Sequence, residues 1–250
     1  MFLAHYAIGL AGKRFAPRVS LGTLILAAQF ADLLWPAFVL TGVEVVRVVP
    51  GITAITPLDF VSYPYSHSGL AILGWAAAVG ACVFAVYRRL WESTVVGVIV
   101  CSHWVLDLLA HRPDLPLMPF SSRRYGLGLW QSPPATLAVE SALLAVAIAT
   151  YAMSTRARDR AGRVGLVALV VCLVAAYAGA IFGPPPPSPR AVAWSAQSLW
   201  LFVAWGYWLD RHRPTRTPRL PTESADHLAS RHHPSTNEAL DPKHPLRGVL

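Results

Sequence analysis

The chain has 250 residues, of which 54% are hydrophobic and only 14% are charged, and its mean hydropathy is +0.45. A soluble domain carries about 25% charged residues, so this composition excludes an ordinary soluble protein and predicts a polytopic membrane protein. The net charge of +8 does not indicate nucleic-acid binding, because the basic residues lie in short loops and near the C-terminal end, without zinc-finger spacing or interleaved aromatic residues.

Six apolar segments are long enough to cross a bilayer, since a spanning helix needs about 17–25 predominantly apolar residues. In chain order they are residues 19–41, 66–87, 94–111, 135–153, 163–183 and 191–209. Residues 1–12 are apolar but shorter, and they predict a partial or re-entrant helix, or an N-terminal extension of the bundle. Pro36 predicts a kink just beyond Asp32. The expected fold is all-α: a polytopic helical membrane protein with six spanning helices plus a short N-terminal apolar helix.

The chain divides into two predicted regions. Residues 1–209 form the expected transmembrane domain, and residues 1–153 within it carry the candidate metal site described below. Residues 210–250 are poor in apolar residues and rich in Arg, His, Pro, Ser and Thr. Such a segment has too little apolar surface to bury, so we expect a disordered basic tail.

The distribution of basic residues predicts the orientation in the membrane. The loops at residues 13–18, 88–93 and 154–163, together with the tail, hold 16 of the 21 Lys and Arg residues. Cytoplasmic loops carry the excess of such residues. We therefore expect the tail in the cytoplasm and the loops at 42–65 and 112–134 on the outer side.

Ionisable residues interrupt these apolar segments. They are His5, Asp32, His103, Asp107 and Glu140, with His67 at the start of another segment. An intramembrane carboxylate costs about 2.5–3.5 kcal/mol at a helix centre, and no Lys or Arg lies in the interior of the segments to compensate. Histidines and carboxylates without a basic partner indicate a metal ion or a hydrated polar cavity.

Spacing and topology predict that these residues meet. His103 and Asp107 are four residues apart, so they share one helix face and can bind one ion. The alternative is a hydrogen bond between neighbouring helices. In the predicted orientation all the candidates fall in the outer half of the membrane, which supports one shared site.

Three further residues have two interpretations each. Glu140 is either an interfacial acid that reaches toward water or a carboxylate that supports the site. Arg123 and Arg124 lie in a predicted outer loop, where they either hold an anionic substrate group such as phosphate or remain solvated.

The order of the polar motifs resembles a known family. Asp32 follows an apolar run, and the later motifs are Ser66-His67-Ser68 and Ser102-His103-Trp104-Val105-Leu106-Asp107. This order is similar to that of the bacterial inner-membrane metal-dependent hydrolase-like family, which is related in pattern to zinc-dependent phospholipase C. The similarity covers roughly residues 1–150. The matched positions, which the resemblance implies as metal ligands, are His5, Asp32, His67, His103 and Asp107.

The resemblance implies a membrane-embedded, metal-dependent hydrolase-like protein in a bacterial inner membrane. Only one carboxylate stands where the family has Pro-Asp-x-Asp, so one divalent ion, or two at most, is expected, and zinc suits mixed His and carboxylate ligands. Asp32 would be a ligand or the general base, and Glu140 would assist catalysis. The expected partners are the lipid bilayer and a lipid or envelope ester or phosphoester. The alternative is a non-enzymatic transporter-like or structural protein with a buried His/Asp cluster.

Overall fold

The computed structural model describes residues 1–216, in which nine α-helices alternate with short loops and two small sheets. In chain order the elements are α1 (Phe2–Phe15), α2 (Leu21–Ala28), α3 (Phe30–Leu40), β1 (Val45–Val48), β2 (Leu58–Ser62), α4 (Gly69–Tyr87), α5 (Leu90–Ala110), β3 (Leu115–Pro116), β4 (Arg124–Tyr125), α6 (Pro133–Ser154), α7 (Arg160–Phe182), α8 (Pro189–Ala196) and α9 (Leu199–His212). A short 3₁₀ turn, Leu129–Gln131, precedes α6.

The number of spanning helices is smaller than predicted. Within the described residues, α4, α5, α6 and α7 are each long and apolar enough to cross a membrane. The predicted span 19–41 forms two helices, α2 and α3, with a bend of 58° between them. Together they make at most a fifth span. The predicted span 191–209 is also divided, into α8 and α9. The prediction of six spanning helices is therefore wrong, because a run of apolar residues does not reveal where the chain changes direction.

Local sequence signals explain where the long helices begin. Ser68 Oγ accepts a hydrogen bond from Ala71 N at the start of α4, and Asp159 Oδ1 accepts one from Gly162 N at the start of α7. Such side chains satisfy N–H groups that have no partner inside the helix. Helix α6 starts at Pro133, whose missing N–H costs nothing in the first turn.

The first helix lies in the middle of the bundle. Helix α1 packs against α2, α5 and α6, and it is buried on most of its surface, including Leu3, Tyr6 and Leu10. Its 14 residues are about 21 Å long at 1.5 Å per residue, which is too short to cross the hydrocarbon core. This agrees with the predicted partial helix at the start of the chain.

One end of the bundle, here called the basic end, joins four segments that sequence places far apart. Trp91 Nε1 donates to Phe15 O, and Arg18 lies 3.3 Å from Glu92. Thr215 forms a β-bridge with Thr155. Lys13 Nζ, 2.6 Å from Asp210 Oδ1, joins these two pairs of segments. The segments 13–18, 88–93, 155–159 and 213–216 are therefore at the same end, as the charge distribution requires.

The opposite end, here called the hairpin end, carries the strands. Strands β1 and β2 are antiparallel, with Val46 opposite Phe60, and β3 pairs with β4. Helix α8 packs against α3 and β1. The expectation of an all-α protein is thus corrected in one respect: the fold is mostly helical, with two small sheets in the loops.

Two other expectations concern single segments. The bend expected at Pro36 occurs instead at Gln29, and Pro36 lies within the continuous helix α3. Helix α9 continues to His212, past the predicted start of the tail at residue 210. Most of that predicted tail, residues 217–250, lies outside the described residues.

Candidate metal centre

Five polar side chains from four segments meet in the interior, as the sequence predicted. They are His5 of α1, Asp32 of α3, His67 before α4, and His103 and Asp107 of α5. His103 Nε2 lies 3.2 Å from Asp107 Oδ2, His5 Nε2 lies 3.1 Å from Asp107 Oδ1, and His67 Nε2 lies 3.4 Å from Asp32 Oδ1. All but Asp32 are buried. We call these five residues the His/Asp cluster.

The bend between α2 and α3 positions two parts of the cluster. It begins the new helix just before Asp32, and it leaves the carbonyl of Ala28 available to a neighbouring helix. That carbonyl oxygen lies 2.8 Å from His103 Nδ1. A carbonyl can only accept a hydrogen bond, so Nδ1 carries the proton and Nε2 presents its lone pair to the cluster.

A second hydrogen-bond chain orients His67. Ser66 Oγ donates to Glu44 Oε2 at 2.6 Å and lies 2.7 Å from His67 Nδ1. Since Ser66 gives its only proton to the carboxylate, His67 Nδ1 is the donor and its Nε2 faces Asp32. Glu44 also accepts the backbone N–H groups of Tyr65 and Ser66, each at 2.9 Å. No sequence signal pointed to Glu44, because its role depends on a contact across 22 residues.

His5 stacks on His103, with ring centroids 3.7 Å apart and planes 5° from parallel. The amino group of Met1 lies 3.1 Å from His5 Nε2 and 2.7 Å from Asp107 Oδ1. Asp107 therefore has a positively charged neighbour, which corrects the expectation that no cation is near the buried carboxylates. Within the described residues, His5 Nδ1 has no hydrogen-bond partner.

The donor atoms fit a divalent metal ion. Two overlapping groups, His5–His103–Asp107 and Asp32–His67–His103, each bring their ligand atoms within 4.8 Å of one another. Zinc–ligand bonds of about 2.0–2.2 Å in a tetrahedron place ligand atoms about 3.3–3.6 Å apart. His103 Nε2 is buried and makes no well-aligned hydrogen bond in residues 1–216, although Asp107 Oδ2 is 3.2 Å away. A lone pair without a donor is what a metal ligand presents.

Part of the cluster borders a cavity of about 380 Å³. Asp32, His67 and Asp107 line it, and the side chain of Asp32 is 31% exposed. The remaining wall is mostly apolar and comes from α1, α3, the β1–β2 hairpin, α7, α8 and α9. No sequence motif indicated that α7, α8 and α9 contribute to this wall.

Glu140 lies at the start of α1 rather than among the ligand atoms. Its Oε2 accepts hydrogen bonds from Leu3 N at 2.6 Å and Ala4 N at 3.3 Å, and Tyr177 donates to its Oε1 at 3.1 Å. A carboxylate in this place satisfies free N–H groups and complements the helix dipole. This geometry favours the supporting interpretation of Glu140 over an interfacial one.

His111 also faces the cavity and is 3% exposed, although its place before Arg112-Pro113 in the sequence favours an ordinary interfacial residue. Its Nδ1 lies 2.9 Å from Asp114 Oδ1, which also accepts a hydrogen bond from Tyr63 OH at 3.1 Å. Burial, together with the Asp114 carboxylate, raises the pKa of Tyr63 well above its usual value, so Tyr63 remains the donor.

Arg123 and Arg124 lie beside and in β4 and do not line the cavity. Arg124 Nη1 donates to Ser121 O at 2.6 Å, so it stabilises its own loop. Their suggested contact with an anionic substrate stays a prediction.

The comparisons with known proteins bear on the membrane and not on a reaction. A family model described as YdjM inner membrane protein matches residues 2–183, a range that contains helices α1 to α7 and the whole His/Asp cluster. No curated protein and no solved structure matches the chain. Because the family match covers well over half of the sequence, the chain belongs to the YdjM inner membrane protein family.

Proposed function

We propose that the protein is a membrane-embedded, metal-dependent hydrolase-like protein that acts on an ester or phosphoester of a lipid or envelope precursor. The observation that carries the proposal is the convergence of three imidazole Nε2 atoms and two carboxylates beside a largely apolar cavity. Buried titratable groups in a cleft mark candidate functional sites. The family resemblance of the motifs supports the same reading.

The residues have distinct proposed roles. His5, His67, His103 and Asp107 hold the ion, for which zinc is the best match to the donor set. When bound, a zinc ion supplies Lewis-acid polarisation and lowers the pKa of water. Asp32 completes the ligand set or takes a proton from the attacking water, since it is the member of the cluster most open to the cavity. Glu140 holds α1, and therefore His5, in place.

The proposed setting is a bacterial inner membrane with the basic end in the cytoplasm and the hairpin end outside. In this orientation the cavity lies in the outer half of the bilayer. A substrate of the membrane or the envelope would reach it there without crossing the membrane.

The test is elemental analysis of purified wild type beside His103→Ala and His212→Ala. We expect metal in the wild type and in His212→Ala, whose imidazole lies at the basic end beside Asp159, and a loss of metal in His103→Ala. Chelation should lower the thermal midpoint of the wild type and zinc should restore it, because a ligand that binds only the folded state stabilises it.

A second function has a specific observation in its favour. The amino group of Met1 and the histidines supply Asp107 with partners that need no ion. A non-enzymatic protein, either transporter-like or structural, would use the cluster as a hydrogen-bonded core. If neither chelator nor zinc moves the midpoint and no metal copurifies, this second function replaces the first.

A further inference from the structure

We infer that the cavity beside the His/Asp cluster binds the hydrocarbon chain of a membrane amphiphile, which enters sideways from the bilayer between α7 and the break that separates α8 from α9. The inference rests on the proposed function, and it makes the substrate class more specific: a long-chain ester whose polar group reaches the cluster while its chain stays in the cavity.

The wall of the cavity has the chemistry of a chain-binding site. Its ionisable groups at the His/Asp cluster are Asp32, His67 and Asp107, with His111 also in the lining, and the hydroxyl groups of Ser195 and Ser198 lie at the opening. The rest is lined by large apolar and aromatic side chains, among them Phe2, Trp35, Phe60, Ile181, Leu199 and Phe202. Ligand sites of about 300–1,000 Å³ with this division fix a polar group at one end and bury an apolar body along the wall.

The cavity opens on a face that should meet lipid. Ala176 and Ala180 of α7 line the cavity, and both are exposed. Helix α7 is a candidate membrane span, so residues exposed on it lie against hydrocarbon. The opening bordered by these two small side chains therefore leads into the bilayer.

The other border of the opening is the α8–α9 break. Ser195 and Ser198 line the cavity there and are exposed. Trp194 and Trp200 flank the break and are 63% and 45% exposed. Tryptophan concentrates where hydrocarbon meets the headgroups, so the opening lies near that level, where the polar part of an amphiphile resides.

The charges of the residues that line the cavity limit which polar head group the amphiphile can carry. Among the lining residues, all of which fall in the described range, there is neither Lys nor Arg. The lining does hold three carboxylates, those of Asp32, Asp107 and Glu140, against the one amino group of Met1, so a phosphate would add unbalanced negative charge even with a divalent ion bound. A neutral carboxylic ester carries no such cost, so we infer a neutral head rather than a phosphodiester.

The experiment is photolabelling of the full protein in lipid nanodiscs. The probe is the methyl ester of a long-chain fatty acid with a diazirine near the chain end, and the competitor is an excess of the unmodified methyl ester. Labelled peptides are identified by mass spectrometry. One set of samples contains chelator, so that chain binding is measured without metal-dependent hydrolysis. A second set contains zinc, and its metal content is measured separately.

Two variants provide a matched comparison. Ala176→Trp places a large side chain in the opening. Ala175→Trp places the same side chain on the adjacent residue, which is also exposed but does not line the cavity. Competition in the wild type needs no variant, so the inference remains testable even if Ala176→Trp does not fold.

We expect labelling of the α7 and α9 walls that the competitor displaces, in the wild type and in Ala175→Trp, with or without zinc. Ala176→Trp should lose this displaceable labelling. Wall labelling that the competitor leaves unchanged, or that survives in a folded Ala176→Trp, would overturn the inference. Absence of zinc binding with displaceable labelling intact would refute the proposed metal chemistry alone.

Discussion

His103 Nδ1 donates a hydrogen bond to the carbonyl oxygen of Ala28, at a distance of 2.8 Å. The donor lies on α5 and the acceptor on the last residue of α2, so one hydrogen bond ties the histidine to the place where the α2–α3 pair bends. It fixes the imidazole tautomer, and it orients Nε2 toward Asp107 and Asp32.

The two nitrogens of His103 can be tested separately. His103→Asn keeps an N–H donor near the position of Nδ1 but offers nothing at Nε2, whereas His103→Ala removes both. We expect both variants to lose metal, and His103→Asn to be the more stable by about 0.5–1.5 kcal/mol, the net value of the retained hydrogen bond. Thermal unfolding and elemental analysis measure the two effects. Equal metal content in His103→Asn and the wild type would contradict the assignment.

Glu140 should affect stability more than metal binding. Glu140→Gln removes the charge that faces the N–H groups of Leu3 and Ala4. Because hydrogen bonds to charged groups contribute about 1.5–3 kcal/mol, we expect a loss of about that size in the free energy of unfolding, with metal content unchanged.

Tyr177→Phe removes a single hydrogen bond to the same carboxylate and serves as a milder companion. A hydrogen bond to a charged group contributes about 1.5–3 kcal/mol, and Glu140 keeps its two backbone donors in this variant, so we expect a cost near the lower end of that range. If Glu140→Gln instead abolished hydrolysis of an ester while the unfolding transition stayed in place, Glu140 would act in catalysis directly.

The sequence predicted the long helices well. About twenty consecutive apolar residues match the thickness of the hydrocarbon core, where a helix satisfies the hydrogen bonds of its own backbone. The segments predicted at 94–111 and 135–153 correspond to Leu90–Ala110 and Pro133–Ser154. The segment 191–209 was misjudged, since its composition is that of a span and the turn at Gln197 and Ser198 has no strong signal. Hydropathy measures how apolar a segment is and not whether it is straight.

The sequence could predict part of the cluster, because residues four apart on a helix, such as His103 and Asp107, lie on the same face. The groups that orient it were not. Glu44 lies outside the apolar segments, and the Ala28 carbonyl has no side-chain signature at all. Both act through contacts between segments distant in sequence, which a reading of local patterns does not contain.

The orientation can be measured with reporters. Green fluorescent protein fused after residue 250 should fluoresce, as it does in the cytoplasm. Alkaline phosphatase inserted at Gly51, an exposed turn residue with φ of 83°, should be active on the outer side. The basis is the excess of basic residues at the basic end. An inactive phosphatase together with a dark fluorescent protein would reverse the topology.

Lys13 and Asp210 form an ion pair that joins α1 to α9 near the basic end. Lys13 is 2% exposed, its Nζ lies 2.6 Å from Asp210 Oδ1, and it also donates to Val19 O at 2.9 Å. Lys13→Met would leave a carboxylate without its partner. Breaking a fully buried pair costs about 3–5 kcal/mol, and we expect less here because the Asp210 side chain is 23% exposed.

The double variant Lys13→Met with Asp210→Leu separates charge from packing. Replacing both partners of a buried pair by apolar residues is often neutral, so the double variant should recover most of the stability that Lys13→Met loses. If it unfolds as easily as the single variant, the loss comes from packing or from the hydrogen bond to Val19. Thermal unfolding in detergent measures both.

Two glycines meet where α2 crosses α9. A Cβ atom added at Gly206 would lie 2.9 Å from both the Cα and the N of Gly22. Backbone atoms cannot move aside as a side-chain end can, so Gly206→Ala should push α9 away from α2. Forcing extra volume into a packed contact costs about 1–3 kcal/mol, and we expect a loss of that size. The displacement would also move Leu199 and Phe202, which line the cavity. Displaceable photolabelling of α9 should therefore weaken together with stability.

Gly74→Ala is the matched control, because a Cβ atom at Gly74 in α4 meets nothing within 4 Å. In an open helix position alanine is favoured over glycine by about 1 kcal/mol, so this control should keep or raise the thermal midpoint. Equal midpoints for the two variants would show that α9 does not depend on this close approach.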